Sequence, residues 1–404
     1  NNGSLAFMFT GQGAQVAGMG KLLWETIPHF RLILDEIVGV VDEHLDKSLF
    51  SIMFAENGTK EAELINQTAY TQPSLFAIEL ALARLLCQWG IKPDFVLGHS
   101  VGEIAAATLA GVFNQEDAAR MIVERGKLIQ ALPAGAMAAV RAPEEIVRTI
   151  IEPMAKEVAL AAINGPRQCV ISGTFAAIDR AVETLMENSV AAKKLRVSHA
   201  FHSPMMDAML DDFQVVCQNI DFKRPNIKFI SNLTGDLVSD EIARPKYWVD
   251  HVRNAVRFTD GLTRCSERGV STFVEIGPSP ILCAMGAGVF KDKRRRWWLP
   301  SLKSKKVADT KNLMRTIATL HQQGRKVDWQ QVYEGHHRIL NLPTYAFSQK
   351  RYWVEESDSK QSTLGTLAKE TGTFKLSGRQ LEIPSSESHR VIKLSLEDQP
   401  YLQD

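Results

Sequence analysis

A serine sits at the centre of Phe95-Val96-Leu97-Gly98-His99-Ser100-Val101-Gly102-Glu103. An apolar run leads into this Gly-x-Ser-x-Gly core, and an Ala-rich run, Ile104 to Ala110, follows and stops at Gly111. Strand, sharp turn and helix in that order, with a serine at the apex, describe a nucleophile elbow. Gly98 and Gly102 suit it, because side chains would clash in so tight a turn. The hydroxyl would stand clear of the strand, at the positive end of a helix. A bare Gly-x-Ser-x-Gly is common, and the competing reading is a plain turn serine. The strand–turn–helix context favours the nucleophile.

A serine hydroxyl needs a base before it attacks anything. Among the 10 histidines, His202 stands in Ser198-His199-Ala200-Phe201-His202-Ser203-Pro204. It follows the strand-like Lys194-Leu195-Arg196-Val197 and precedes a helix expected over Met205 to Val216. A strand-end loop is where catalytic groups commonly lie. His199 is the alternative base, and either ring could instead be solvated or satisfied in the core.

Arg125 is the third candidate. The helix expected after Asn114 carries Ala118, Met121, Ile122, Leu128, Ile129 and Leu132 on one face. Asn114 is its expected N-cap, with Glu116 and Asp117 in the first turn. Arg125 falls in the middle of the apolar stripe. It must snorkel, pair with an internal acid, or bind an anion from outside. A planar fork of donors suits a carboxylate. A serine nucleophile near such an arginine suggests an acyl substrate with a free carboxylate at its far end. A serine hydrolase is the competing class, and it would have little use for Arg125.

The strand-like Leu5-Ala6-Phe7-Met8-Phe9 runs into Thr10-Gly11-Gln12-Gly13-Ala14-Gln15. This glycine loop could offer backbone N–H groups to an oxyanion or a phosphate. It lacks the dinucleotide fingerprint and the Walker lysine, so a nucleotide reading is weak. An ordinary β-α turn is the plain alternative.

Phe9-Thr10-Gly11-Gln12-Gly13, Thr71-Gln72-Pro73, Gly98-His99-Ser100-Val101-Gly102-Glu103, Arg125-Gly126, Asn164-Gly165-Pro166 and His199-Ala200-Phe201-His202 carry a family resemblance. The set resembles the acyltransferase domain of modular polyketide synthases. It is also similar to the malonyl-CoA:acyl-carrier-protein transacylases of fatty-acid synthesis. The resemblance runs from about Leu5 to about Leu299. Beyond it, Leu342-Pro343-Thr344-Tyr345-Ala346-Phe347 and Arg351-Tyr352-Trp353 resemble the linker that follows this domain in modular synthases. Gln399-Pro400-Tyr401-Leu402 resembles the opening of a dehydratase domain.

The resemblance implies a role for each matching residue. Ser100 is the acylated nucleophile and His202 the general base. Backbone N–H groups of Gln12 and Val101 form the oxyanion hole. Arg125 grips the malonyl carboxylate, with His199 and Phe201 beside the substrate. The backbone carbonyl that orients the histidine falls at or near His251. His199-Ala200-Phe201-His202 with Val101 after the serine accompanies malonyl use in the family. Tyr-Ala-Ser-His with glutamine after the serine accompanies methylmalonyl. Malonyl-CoA is then the acyl donor, and the phosphopantetheine thiol of an acyl carrier protein the acceptor. No permanently bound cofactor and no metal are implied. Ketosynthase and dehydratase domains are the expected neighbours on the same polypeptide.

Composition agrees. At 404 residues the chain exceeds one typical core. A hydrophobic content of 45% is ordinary for a globular protein. The net charge of +1 argues against nucleic acid as the main partner. Cys87, Cys169, Cys217, Cys265 and Cys283 are scattered without a CxxC, so they read as reduced thiols of an intracellular protein rather than metal ligands. No signal peptide is visible at the first residue, and no apolar run approaches about 18 residues, so the expectation is cytoplasmic with no membrane span.

The elements needed to hold these residues follow from the patterning. Strands and helices alternate up to about residue 130, which implies a parallel sheet covered on both faces. From Gly135 a β-α-β-β-α-β series appears, the order of a ferredoxin-like unit. Its parts are a strand at Met137–Val140, a helix from Pro143 to Ile151, and strands at Val158–Ala162 and Cys169–Ser172 around the turn Asn164-Gly165-Pro166. A helix from Phe175 to Asn188 and a strand from Ala191 to Val197 close it. The expected fold is an α/β-hydrolase-like parallel-sheet core with an inserted ferredoxin-like subdomain and a C-terminal linker region. Expected boundaries are a core in two parts (1–133 and 199–299) around the insert (134–198), a linker at 300–353, and a further linker with the start of a dehydratase domain at 354–404. The site should lie in the cleft between core and insert. The basic run at 291–306 is either a solvated loop or a surface for an acidic partner.

Overall fold

The computed structural model describes residues 3–290, 292, 295–303, 309–333, 379–381 and 389–391. Two compact units divide the chain, residues 1–337 and residues 338–404. In the second, Arg379–Leu381 pairs antiparallel with His389–Val391. The linker-like motifs at Leu342–Phe347 and Arg351–Trp353, the polar stretch from Glu355 to Thr373, and Gln399–Leu402 lie outside the described residues.

The first unit is built on ten strands: β1 (Ser4–Phe9), β2 (Phe95–Gly98), β3 (Ala136–Val140), β4 (Val158–Gly165), β5 (Gln168–Gly173), β6 (Ala192–Lys194), β7 (Lys228–Ile230), β8 (Leu237–Val238), β9 (Val270–Ile276) and β10 (Trp297–Pro300). One sheet has the order β10-β9-β1-β2-β7-β8. Its strands are parallel except β8, which runs antiparallel at the edge. Leu5 to Phe9 of β1 are fully buried, as expected of a central strand covered on both faces. Alternation sends Leu5, Phe7 and Phe9 into one apolar cluster and Ala6 and Met8 into another. The first cluster packs against the helices Thr68–Gln88 and Gly102–Leu109, the second against Phe258–Glu267.

The second sheet has the order β4-β5-β3-β6 and is antiparallel throughout. With the helices Glu144–Ile151 and Phe175–Glu187 it forms the ferredoxin-like unit around its own core of Ala138, Val147, Ile171 and Ile178. The fold class is therefore as the sequence implies: a parallel α/β core with a separate antiparallel subdomain.

Several elements differ from expectation. Between β1 and β2 lie five helices and no strand, so the early alternation is weaker than expected. The parallel sheet is completed by β7, β9 and β10 from the second half. Asn164 and Gly165 belong to β4 rather than to a turn, and Gly165 pairs with Gln168. β6 spans only Ala192–Lys194, because Leu195 to Ser198 run on as an exposed rim. The helix expected from Met205 begins as a 3₁₀ segment, Pro204–Met209, and becomes α only over Leu210–Gln218. Ser203 caps this segment, its Oγ accepting the Met205 N–H at 3.2 Å. In the basic run, Arg296 pairs with Asp292 at 2.5 Å and Arg295 covers the Trp297 ring. Lys291, Lys293, Arg294, Lys305 and Lys306 lie outside the described residues. No helix among the described residues is long and apolar enough to cross a membrane.

The two sheets meet along a narrow seam. Ile163 N–H donates to the Val256 carbonyl (2.8 Å), and Val256 N–H donates to that of Ala161 (2.9 Å). Arg257 holds Glu144 through two nitrogens at 3.2 Å each. Beside this seam opens a cleft of about 1040 Å³, lined from both subdomains.

Gly102 is a crowded point of the core beneath the cleft. A Cβ there would lie 2.3 Å from the Thr10 carbonyl oxygen and 2.5 Å from that of Phe9. Gly102→Ala should therefore lower unfolding free energy by about 1–3 kcal/mol or more in chemical denaturation. A loss below about 0.5 kcal/mol would show that the elbow has room it does not have here.

Candidate active site

β2 ends at Gly98, and the helix Gly102–Leu109 begins four residues later. Ser100 bridges them with φ of 51°, a left-handed conformation that costs a non-glycine residue energy. Gly98 is needed as well, since a Cβ there would meet the Glu103 nitrogen at 2.2 Å. The turn lifts Ser100 into the cleft.

His202 arrives from the other side of the insert, also with a positive φ (57°). Its Nε2 lies 2.7 Å from Ser100 Oγ. The backbone carbonyls of Asn254 and His251 face the ring and favour its protonated form. Nδ1 makes no hydrogen bond of good geometry with them. Burial dominates, and with the positive charge of Arg125 and neighbouring His99 it pushes His202 down to about 3. The ring is neutral at any ordinary pH, so Nε2 is able to accept a proton.

Arg125 stands on the helix Gln115–Gln130, whose N-cap Asn114 accepts the Asp117 N–H at 2.7 Å. The residue is 1% exposed. Nη1 donates to Gln72 Oε1 at 2.6 Å, and Nε has no partner. No carboxylate lies within ion-pair distance of it among the described residues. Burial alone brings its pKa down to about 10, so it keeps its charge. The internal ion pair considered from sequence is absent among those residues. Gln72 lines the cleft, with Arg125 directly behind it.

Gln12 lines the cleft and Val101 is buried at the elbow. Neither backbone N–H donates to an acceptor among the described residues. Phe201 lines the cleft next to His202. His199 does not. It is 3% exposed, its Nδ1 lies 2.8 Å from Ser198 Oγ, and the backbone of Leu132 and Gln130 faces its ring. The structure thus brings Ser100, His202, Gln12 and Phe201 to one cleft and leaves His199 in the wall behind it.

The His251 carbonyl faces the His202 ring, and the His251 side chain is buried beneath the site. Its Nε2 lies 3.6 Å from Glu103 Oε2. This is a contact between neutral groups. Burial holds His251 well below its usual range and pushes Glu103 up to about 8. Glu103 accepts hydrogen bonds from Tyr247 Oη and from the Asn232 N–H. Asn232 in turn bonds both Gly98 and Ser100. His99 Nε2 reaches Asn164 Oδ1 on β4 at 2.8 Å, tying the elbow to the insert. Sequence reasoning missed Asn232, Glu103 and the His99–Asn164 link. Asn232 and Asn164 had a signal, since each is a short polar side chain closing an apolar strand. Gln72 stood in a matched motif without a role.

The comparisons with known proteins agree with this geometry. A family model described as "Acyl transferase domain" matches residues 6–327. The chain is 42% identical over 373 residues to the spectinabilin polyketide synthase system protein NorB of Streptomyces orinoci, covering 91% of this chain and 17% of that protein. It is 38% identical over 408 residues to polyketide synthase GfsA of Streptomyces halstedii, covering 100% of this chain and 5% of that protein. It therefore spans a small part of the length of these relatives. Among solved structures, the acyltransferase domain from the second module of the salinomycin polyketide synthase superposes with a TM-score of 0.78 at 42% identity, over 85% of this chain and 80% of that one. A malonyl-CoA:acyl carrier protein transacylase from Xanthomonas oryzae pv. oryzae superposes with a TM-score of 0.67 at 31% identity, over 75% of this chain and 95% of that one. The chain belongs to the acyl transferase domain family, of the polyketide synthase and malonyl-CoA:acyl carrier protein transacylase type. It is an acyltransferase.

The depressed pKa of His202 has a direct check. An imidazole at the ordinary 6.5 would be largely cationic at about pH 5, whereas one at about 3 stays neutral. The ¹⁵N shifts of the His202 ring should therefore remain those of a neutral imidazole from about pH 8 to about pH 5. A titration midpoint near 6.5 would show that solvent reaches the ring.

Proposed function

We propose that this domain loads malonyl from malonyl-CoA onto Ser100 and passes it to the phosphopantetheine thiol of an acyl carrier protein. The observation that carries this reading is a hydrogen-bonded Ser100–His202 pair in a cleft backed by a buried cation without a carboxylate partner among the described residues.

The chemistry runs in two halves. His202 Nε2 takes the proton from Ser100 Oγ as the oxygen bonds to the thioester carbonyl carbon. The oxyanion forms against the free N–H groups of Gln12 and Val101. The carbon–sulfur bond breaks, and CoA leaves with the proton from His202. The carrier's thiol then attacks the malonyl-serine, His202 accepts the thiol proton, and Ser100 recovers it as the ester opens. The malonate carboxylate meets Arg125, taking the free Nε and sharing the guanidinium with Gln72. Both substrates bring a phosphorylated pantetheine arm. Arg141 and Arg196 are the cleft-lining residues with a permanent charge, and both suit phosphate. Ketosynthase and dehydratase domains are the proposed neighbours in the longer polypeptide.

Intact-protein mass after exposure to a panel of acyl-CoAs tests the nucleophile and the base together. Ser100→Ala should acquire no acyl group and His202→Ala should load roughly a hundredfold more slowly. An acylated Ser100→Ala protein would place the nucleophile elsewhere, and loss of loading in His199→Ala alone would move the base to His199.

Acyl choice rests on Arg125 and Phe201. Arg125→Ala should lose the preference for malonyl over acetyl, because the guanidinium no longer waits buried for an anion. Phe201 fills space by the substrate's α-carbon, so malonyl should be favoured over methylmalonyl by roughly ten- to a few-hundredfold, and Phe201→Ser should narrow the gap. Equal loading from an equimolar mixture of the two CoA esters by the unaltered protein would refute the malonyl assignment.

A further inference from the structure

We propose that Asn232 is a positioning residue that holds the Ser100 turn in its reactive shape by carrying the sheet's pairing around the elbow with a side-chain amide. The proposal rests on reading Ser100 as the nucleophile.

β2 and β7 pair in parallel as far as Leu97 and Ile230. Beyond them β2 loses β7 as a partner, while on its other side the His99 N–H still donates to the Phe9 carbonyl of β1 at 2.9 Å. Asn232 stands two residues past Ile230 and is 4% exposed. Its Nδ2 donates to the Gly98 carbonyl at 2.9 Å, and its Oδ1 accepts the Ser100 N–H at 3.0 Å. A primary amide offers the donor and acceptor of a peptide group, so the side chain stands in for the missing strand. The residue's own N–H donates to Glu103 Oε2 at 2.9 Å, and its carbonyl accepts the Arg257 N–H at 2.8 Å. Asn232 therefore touches the strand end, the apex and the first helical turn of one strained segment. Rotating it away would orphan the Ser100 N–H and the Gly98 carbonyl in a buried place.

Two consequences bear on reactivity. Because Ser100 N–H is occupied, the free amides left for an oxyanion are those of Val101 and Gln12. Because Arg257 lies close after Asn254, the same residue ties the serine turn to the stretch whose carbonyls face His202.

Asn232→Ala and Asn232→Asp separate this role from plain stability. The protonated Asp carboxyl donates and accepts as the amide does, whereas the ionised form cannot donate to Gly98. The groups facing this position are Glu103, Tyr247 and His251 below the elbow, with His99 and His202 beside it. Burial keeps His202 neutral at about 3 and Glu103 protonated up to about 8. Loading kinetics from malonyl-CoA would be read by intact mass, alongside labelling of Ser100 by a fluorophosphonate, which needs no acyl donor. Asn232→Ala should lose about a hundredfold in kcat per folded molecule, with KM little changed. Asn232→Asp should recover activity as the pH falls from about 7 to about 5, below the range in which Glu103 ionises, while the unaltered protein stays flat. Should the alanine variant not fold, the pH profile of the aspartate variant decides alone. Unaltered kcat in Asn232→Ala, or a wild-type pH profile in Asn232→Asp, would overturn the proposal. If the unaltered protein reacts with fluorophosphonate but not with malonyl-CoA, the donor assignment fails instead. The labelling rates of the two variants then still test Asn232.

Discussion

Burial, together with a cation that has no countercharge among the described residues, sets the electrostatics of this cleft. Arg125 is 1% exposed and leans on a neutral amide, Gln72. An isolated charge is expensive to bury, and it is tolerated where function supplies an anion later. Its positive potential and the low dielectric act on nearby imidazoles in the same direction. His202 and His251 are both driven to their neutral forms. A neutral imidazole beside a serine is a proton acceptor, whereas a cationic one is not. The guanidinium therefore adds to burial in keeping the His202 ring neutral. In the proposed function, a carboxylate bound at Arg125 would relieve the charge and raise the affinity of His202 for a proton.

The two sheets divide the labour. The parallel sheet holds the elbow at its strand ends, where open α/β sheets bind ligands. The antiparallel sheet supplies most of the cleft's opposite wall, including Met137, Ala161 and Val170, together with Arg141. Between them run two backbone bonds, one Arg257–Glu144 ion pair and the His99–Asn164 hydrogen bond. The seam is thin, and it lies beside the reacting atoms.

Much of this was legible in the sequence where local chemistry dictates local shape. Gly98, Ser100 and Gly102 announce a crowded turn, and Asn114 caps its helix as its residue type implies. Arg125 betrayed itself by standing on an apolar stripe. The βαββαβ order was readable because hydrophobic period and turn residues agree. What stayed hidden depends on pairing between distant segments. Strand order in the parallel sheet places β7, β9 and β10 beside β1 and β2, and no local pattern records that. Asn232 and Glu103 are ordinary polar residues until the fold brings them together across a separation of 129 residues. His199 and His202 differ by three positions, yet His202, with a positive φ, lines the cleft and His199 stays in its wall.

Ser100 and His202 stand on opposite sides of the inserted subdomain, 102 residues apart. The carbonyls that face the histidine, at His251 and Asn254, come later still. During synthesis from the N-terminus, the serine turn leaves the ribosome long before its histidine partner, and the histidine before the carbonyls that face it. The nascent domain thus lacks the complete Ser100–His202 arrangement until the insert and the stretch through Arg257 have emerged and folded. The reactivity proposed for Ser100 therefore switches on only once the domain around it is complete.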